Sequence, residues 1–230
     1  MITPRLECIL KYVTGKKVAD IGTDHAYIPI RLVQDKVCQK VIATDIKPGP
    51  VGAAKRHVEK YGLSDKIDIR LGAGLDPLGV GEAEQIIIAG MGGEMIEKIL
   101  LENREKAKAS KLILQPMNNQ YELRKFLHKD GYKIICEDIA TEGEKVYNLI
   151  IACAGEDEPF EDDFSYHIPK YLLNHSLFPE LLNKKIREYR KIITGNEKAA
   201  NKDYELIEYY KNLLNRALEL EKKESENESL

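Results

Sequence analysis

In residues 1–155 apolar positions gather in short unbroken runs separated by amphipathic stretches. The runs fall at residues 18–21, 41–44, 67–71, 86–89 and 112–114. Most do not alternate with polar positions, which is the pattern of strands buried on both faces of a sheet. Helical stretches are predicted between them over 29–35, 52–61, 94–102 and 121–129, giving the βαβ order of a parallel sheet. Residues 132–138 and 146–153 then read as two strands joined by a turn at Thr141-Glu142-Gly143-Glu144. A hairpin at this position puts one antiparallel strand into an otherwise parallel sheet.

The pattern changes after residue 155. Six acids occupy the eight positions 156–163, around Pro159, and residues 156–164 read as a linker. Helical periodicity follows over 179–193 and 203–223. Leu182, Ile186, Tyr189 and Ile193 repeat at 4-3-4 spacing, and Leu206, Tyr210, Leu213, Ala217 and Leu220 at 4-3-4-3. Such seams predict an antiparallel coiled-coil hairpin, with Thr194-Gly195-Asn196 as the stop between its helices. The division expected is therefore an α/β domain at 1–155, an acidic linker at 156–164 and a helical hairpin at 165–230.

Composition adds mostly exclusions. No run approaches the ~20 apolar residues of a membrane span, and residues 1–17 lack a secretion signal. The four cysteines are far apart, with no CxxC pair and no histidine at metal-ligand spacing. They are expected to be reduced thiols in a cytoplasmic protein without a metal. The net charge of −3 announces no nucleic acid, so any RNA surface has to be local. Residues 165–202 carry eight bases against three acids, whereas residues 203–230 carry four against eight. The RNA-contact candidates are therefore Lys184, Lys185, Arg187, Arg190 and Lys191, with Arg5 and Lys11 as a second patch; a solvated charged face is the plainer alternative.

The candidate chemistry lies in the loops after the strands. Asp20-Ile21-Gly22-Thr23-Asp24-His25 runs from a strand into a small-residue turn, where a ligand can approach backbone closely. Its single glycine suits a smaller ligand than a pyrophosphate. Asp45, followed by Ile46, ends the second strand, where a carboxylate accepts hydrogen bonds from ribose hydroxyls and repels a 2′-phosphate. Gly72-Ala73-Gly74 follows the third strand and would read an adenine through backbone and apolar packing. Ala89-Gly90-Met91-Gly92-Gly93 follows the fourth. Three glycines in four positions there imply a close backbone approach. Gln115 and Asn118 end the fifth strand, able to hydrogen-bond a base edge or to cap the loop. The Asn/Asp-Pro-Pro-aromatic tetrad of amino-group methyltransferases is missing from this place, which argues against methylation of an exocyclic N6.

The turn DIGTDHAYIP, the loop AGMGG, the segment LILQPM and the closing hairpin with a helical C-terminus resemble the bacterial tRNA (adenine-22-N1)-methyltransferases. The resemblance covers residues 1–155 closely and the appendage more loosely. It implies a Rossmann-like class I methyltransferase fold, S-adenosylmethionine as cofactor, and tRNA as partner to a coiled-coil domain. On this resemblance Gly22, Asp24, His25, Asp45, Gly90 and Gly92 would line the cofactor and target site, with Asp20, Thr23, Ala89, Met91 and Gly93 around them. Adenine N1 is already nucleophilic, so positioning should dominate the transfer. Asp24 is the candidate carboxylate for the charge developing on the base, and Tyr27 or His25 could stack on that base. Two further readings stay open: a methyltransferase acting on another RNA or a small molecule, and a non-catalytic nucleotide-binding interaction protein. A nicotinamide dehydrogenase fits less well, because its sheet usually ends in a sixth parallel strand. The expected state is a monomer or weak dimer.

Overall fold

In the computed structural model, residues 2–227 are described, and they divide into two compact units, Met1–His167 and Ile168–Leu230. The first unit carries a seven-stranded sheet in the order β3-β2-β1-β4-β5-β7-β6. Its strands are β1 (Lys17–Ile21), β2 (Lys40–Asp45), β3 (Ile67–Leu71), β4 (Gln85–Met91), β5 (Lys111–Pro116), β6 (Tyr132–Glu142) and β7 (Lys145–Ala154). β1 to β5 are parallel, and β7 runs antiparallel to both β5 and β6. The strand order reverses at β1 and β4, which places a crevice beyond their carboxyl ends.

The apolar runs located these strands to within two residues, except where β4 and β6 continue further. The helices α2 (Tyr27–Gln34), α3 (Pro48–Lys60), α4 (Gly93–Glu102) and α6 (Gln120–Lys129) stand where amphipathic stretches predict them. Two others carry no such signal: α1 (Pro4–Lys11) and α5 (Arg104–Lys108). α1 is short but firmly held. Cys8 Sγ and Tyr12 Oη both donate to Asp138 Oδ2 on β6, at 3.3 and 3.0 Å. Cys8, Ile9, Ile87, Ile113, Leu149 and Ile151 share one buried cluster.

The expected linker is only partly a linker. Its end winds into α7 (Asp163–His167), whose Phe164, Tyr166 and His167 are buried. Arg124 on α6 is 1% exposed and grips both oxygens of Glu137 on β6, while its Nη1 donates to the carbonyl of Tyr166. This pairing fastens α7 to the first unit, so the division falls after His167 rather than within 156–164.

The second unit pairs α8 (Phe178–Lys198) with α9 (Tyr204–Asn227), after a 3-10 turn at Lys170–Leu172. The first seam is buried as expected at Leu182, Ile186, Tyr189 and Ile193. In α9 the buried positions are Ile207, Leu213 and Ala217, with Leu206, Tyr210 and Leu220 only half-buried. The stop at Thr194-Gly195-Asn196 does not occur: α8 runs through it to Lys198. A single interior glycine costs a helix about 1 kcal/mol, little against a buried seam. Asn196 Nδ2 also donates to the Ile192 carbonyl one turn back.

Candidate active site

The crevice past the carboxyl ends of β1 to β4 has a volume of about 350 Å³. Gly22, Asp45, Ile46, Gly72, Ala73, Gly74 and Met91 line it, seven of the residues singled out from the sequence. Its construction starts from the turn after β1. The amides of Gly22 and Thr23 both donate to the Thr44 carbonyl at 2.8 Å, which pins the turn to the end of β2. Gly22 has φ +75°, and a Cβ there would overlap Met91 Cε. Glycine is thus favoured by backbone conformation, and a side chain there would push the flexible end of Met91 aside. Below the turn, Asp20 is buried, and burial pushes its carboxyl up to about 6, with Thr23 acting in the opposite direction. A charged carboxylate in an apolar surround is disfavoured, which gives the direction of that shift.

The wall opposite comes from β4 and α4. The strand is kinked at Gly90, φ +75°, where its register with β5 shifts. The kink delivers Met91 to the crevice. Gln115 fixes it: Oε1 accepts from the Gly90 amide at 3.1 Å and from Arg5 Nη1 at 2.7 Å, while Nε2 donates to the Pro116 carbonyl. The Gln115 side chain is therefore committed to the loop, and its reading as a base-edge contact gives way to positioning of Gly90 and Arg5. Asn118 Oδ1 likewise accepts from the Gly93 amide. A Cβ on Gly93 would lie 2.5 Å from the Asn119 carbonyl, and one on Gly92 2.9 Å from Asn118 Oδ1. The close approach implied by the glycines is thus between two loops of the chain, at the start of α4.

Four residues of the α4 wall are absent from the sequence-based candidates: Met95, Lys98, Ile99 and Glu102. Their 3-1-3 spacing marks one helical face directly after the glycine loop, and that spacing is readable in the sequence. Asp24 and His25 are exposed beside the crevice, with His25 Nε2 3.4 Å from Asp24 Oδ1. His25 and Ala26 both have positive φ, 52° and 54°, two left-handed non-glycine residues in succession before α2. Strain of this kind persists only where surroundings impose it. The Tyr27 ring lies tilted beside His25, ring centroids 5.7 Å apart.

A second, larger cavity of about 460 Å³ lies at the amino ends of β1 to β3. Among its charged lining residues, three pair with each other. Arg70 binds Glu82 through two nitrogens and Asp68 through a third, and the Arg70 guanidinium holds the Glu82 carboxyl down to about 2.

The predicted RNA-contact residues separate into two groups. Lys185 is buried and ion-paired to Glu188, which Lys184 also approaches. Position 185 sits between seam residues 182 and 189, so its stem packs in the seam. Arg187, Arg190 and Lys191 are exposed, as is Lys11. Arg5 is turned inward, onto Gln115 and over the Tyr147 ring. Among the described residues no group of three metal-binding side chains occurs, and no helix is long and apolar enough to cross a membrane.

A family model for a methyltransferase domain matches residues 2–150. The chain is 40% identical over 166 residues to the tRNA (adenine(22)-N(1))-methyltransferase of Bacillus subtilis (strain 168), a match spanning 71% of this chain and 70% of that protein. Streptococcus pneumoniae Sp1610, solved in complex with S-adenosyl-L-methionine, superposes with a TM-score of 0.84 at 31% identity, covering 96% of this chain and 99% of that one. TrmK of M. capricolum, solved with S-adenosyl-homocysteine, gives 0.77 at 26% identity, with 97% of each chain covered. The glycine turn, the carboxylate that ends β2 and the extent of these matches agree, and the chain belongs to the tRNA (adenine(22)-N(1))-methyltransferase family.

Proposed function

We propose that this protein methylates N1 of adenine 22 in tRNA, using S-adenosylmethionine. The observation that carries the reading is the crevice beyond β1 to β4, with the Asp45 carboxylate on one wall and the strained Asp24–Tyr27 turn at its side. The residues fit the cofactor. A volume of about 350 Å³ lies within the usual range for small-molecule sites, and Ile21, Ile46, Met91 and Ile99 offer apolar surface to a purine. Asp45 would accept from the ribose hydroxyls, and the Gly72-Ala73-Gly74 backbone would read the adenine. Bound S-adenosylmethionine supplies a methyl group on a sulfonium, which an in-line nucleophile accepts without acid or base assistance.

The protein's own part is then placement and charge. Adenine N1 presents an in-plane lone pair, and His25 or Tyr27 would hold the base by stacking. Methylation leaves a positive charge shared between N1 and N6. In this reading Asp24, exposed on the turn after β1, would stabilise it and take the N6 proton. Gln115 and Asn118 keep the Gly90–Gly93 loop in position through their bonds to its amides. Arg187, Arg190 and Lys191 are the exposed cations of α8 available to tRNA phosphates.

The test is transfer of labelled methyl from S-adenosylmethionine to tRNA, followed by nucleoside mass spectrometry. The expected product is 1-methyladenosine, absent when adenine 22 is replaced by guanine. Label at another base, or no label on tRNA, overturns the reading.

A further inference from the structure

α3 carries a feature that the cofactor crevice does not use. His57 and Tyr61 stand one turn apart, and their rings continue the row begun by His25 and Tyr27. Successive centroids are 5.7, 5.3 and 5.1 Å apart, from His25 through Tyr27 and His57 to Tyr61. The row stays open to solvent at both ends, with the His25 side chain 50% exposed and Tyr61 47% exposed. His57 also reaches the strained turn, its Nδ1 donating to the His25 carbonyl at 2.6 Å. Arg56 and Lys60 are exposed and form a four-residue pair flanking the His57–Tyr61 pair, with Lys60 three residues from His57. The acid of this helix, Glu59, falls on the other flank. Aromatic rings interleaved with cations are the surface chemistry of unstacked nucleic acid, in which bases stack and phosphates pair.

We propose that the face of α3 formed by Arg56, His57, Lys60 and Tyr61 is a docking strip for the RNA strand flanking the target base. Tyr61 stacks on a neighbouring base, Arg56 and Lys60 hold phosphates, and the row of rings leads the strand to the Asp24–Tyr27 turn. This rests on the reading that tRNA is the substrate. It adds an RNA surface within the first unit, separate from the cations of α8.

The experiment uses the full chain and measures KM and kcat for tRNA, the affinity for S-adenosylhomocysteine, and the salt dependence of tRNA binding. Tyr61→Ala should raise KM for tRNA by about five- to a hundredfold, the range for losing one stacked base. Tyr61→Phe keeps the ring and should restore KM to the wild-type value. Arg56→Ala with Lys60→Ala should flatten the slope of log K against log salt by about 0.7 for each phosphate that is no longer neutralised. Affinity for S-adenosylhomocysteine should stay the same in all three. Unchanged tRNA KM and unchanged salt slope would overturn the strip. So would a parallel loss of cofactor affinity, which would mean that α3 only supports the crevice. Failure of the wild-type chain to methylate tRNA at all would instead defeat the functional reading, so the two failures are separable.

Discussion

Two cavities open on the same sheet, and the larger is the less suited to bind. At the amino ends of β1 to β3, about 460 Å³ is bordered by the exposed Lys17, Lys40, Asp65 and Lys66 and by Arg70, Glu82 and Asp68, which satisfy one another. At the carboxyl ends about 350 Å³ is walled mainly by glycines, alanine, isoleucines and methionines, with Asp45 on one side and the Lys98–Glu102 pair on the other. There Asp45 turns one oxygen to the Lys47 amide at 2.7 Å, and Asp20 is held buried at a cost. A ligand gains little by competing with closed ion pairs. It gains much where backbone is bare and acceptors are incompletely used. Volume alone does not select a site; unspent hydrogen-bonding capacity beside small residues does.

The largest effect should come from filling the carboxyl-end crevice. Gly22→Val forces a branched side chain into φ +75° and against Met91. Left-handed strain of about 1–2 kcal/mol is joined by loss of crevice space, because the branched side chain and the displaced end of Met91 both enter it. Titration calorimetry with S-adenosylhomocysteine should show binding abolished, and normal binding by a folded variant would remove the turn from the site.

Asp20 gives a pH-dependent contrast between the two ends. Its folded pKa is raised from an ordinary 3.8 to about 6. The folded state therefore holds a proton that the unfolded state has released between those values. The stability it confers is complete below about pH 4 and lost as pH rises through 6, a difference of roughly 3 kcal/mol. Thermal melts of Asp20→Asn should lack this fall, gaining on the wild type as pH rises from about 4 to about 6.5. Equal slopes in both proteins would assign the pH dependence elsewhere.

Asp45→Ala is expected to weaken S-adenosylhomocysteine by roughly 1–3 kcal/mol, the loss of hydrogen bonds to a charged acceptor. Its counterpart at the amino end should be nearly silent. Glu82→Gln breaks a partly exposed pair worth about 0.2–1 kcal/mol and should leave cofactor affinity unchanged. If calorimetry shows Glu82→Gln reducing affinity as much as Asp45→Ala, the two ends are coupled and the distinction fails.

The sheet and its carboxyl-end loops were legible because buried parallel strands leave unbroken apolar runs and glycines mark sharp turns. What escaped has particular causes. α1 holds to the sheet through Cys8, Ile9 and Tyr12, whose partners are distant in sequence, so its eight residues carry little signal of their own. α7 lies in an acidic stretch, and its anchors on α6 are distant in sequence: Arg124 on the Tyr166 carbonyl, Tyr121 and Lys125 on Asp163, and the Tyr121 ring stacked on His167. Lys185 looks like an RNA contact when charge is counted along the chain rather than around the helix. The Gln115 side chain looks free because its acceptor duties, to Gly90 and Arg5, come from two other segments. The α4 wall escaped for a simpler reason. Its amphipathic stretch marks the helix, but only the turn imposed by the glycine loop decides which face meets the crevice.

Arg124 and Glu137 constrain the history open to this chain. Neither side chain reaches solvent, with exposures of 1% and 0%. Losing one partner leaves a buried charge alone, at a cost of about 3–5 kcal/mol, a large share of a domain's stability. A well-packed apolar pair can often replace such ions, but here the Tyr166 carbonyl would lose its donor. Positions 124 and 137 are therefore coupled in energy, and a change at either is expected to be tolerated best with a matching change at the other and a new donor for the Tyr166 carbonyl.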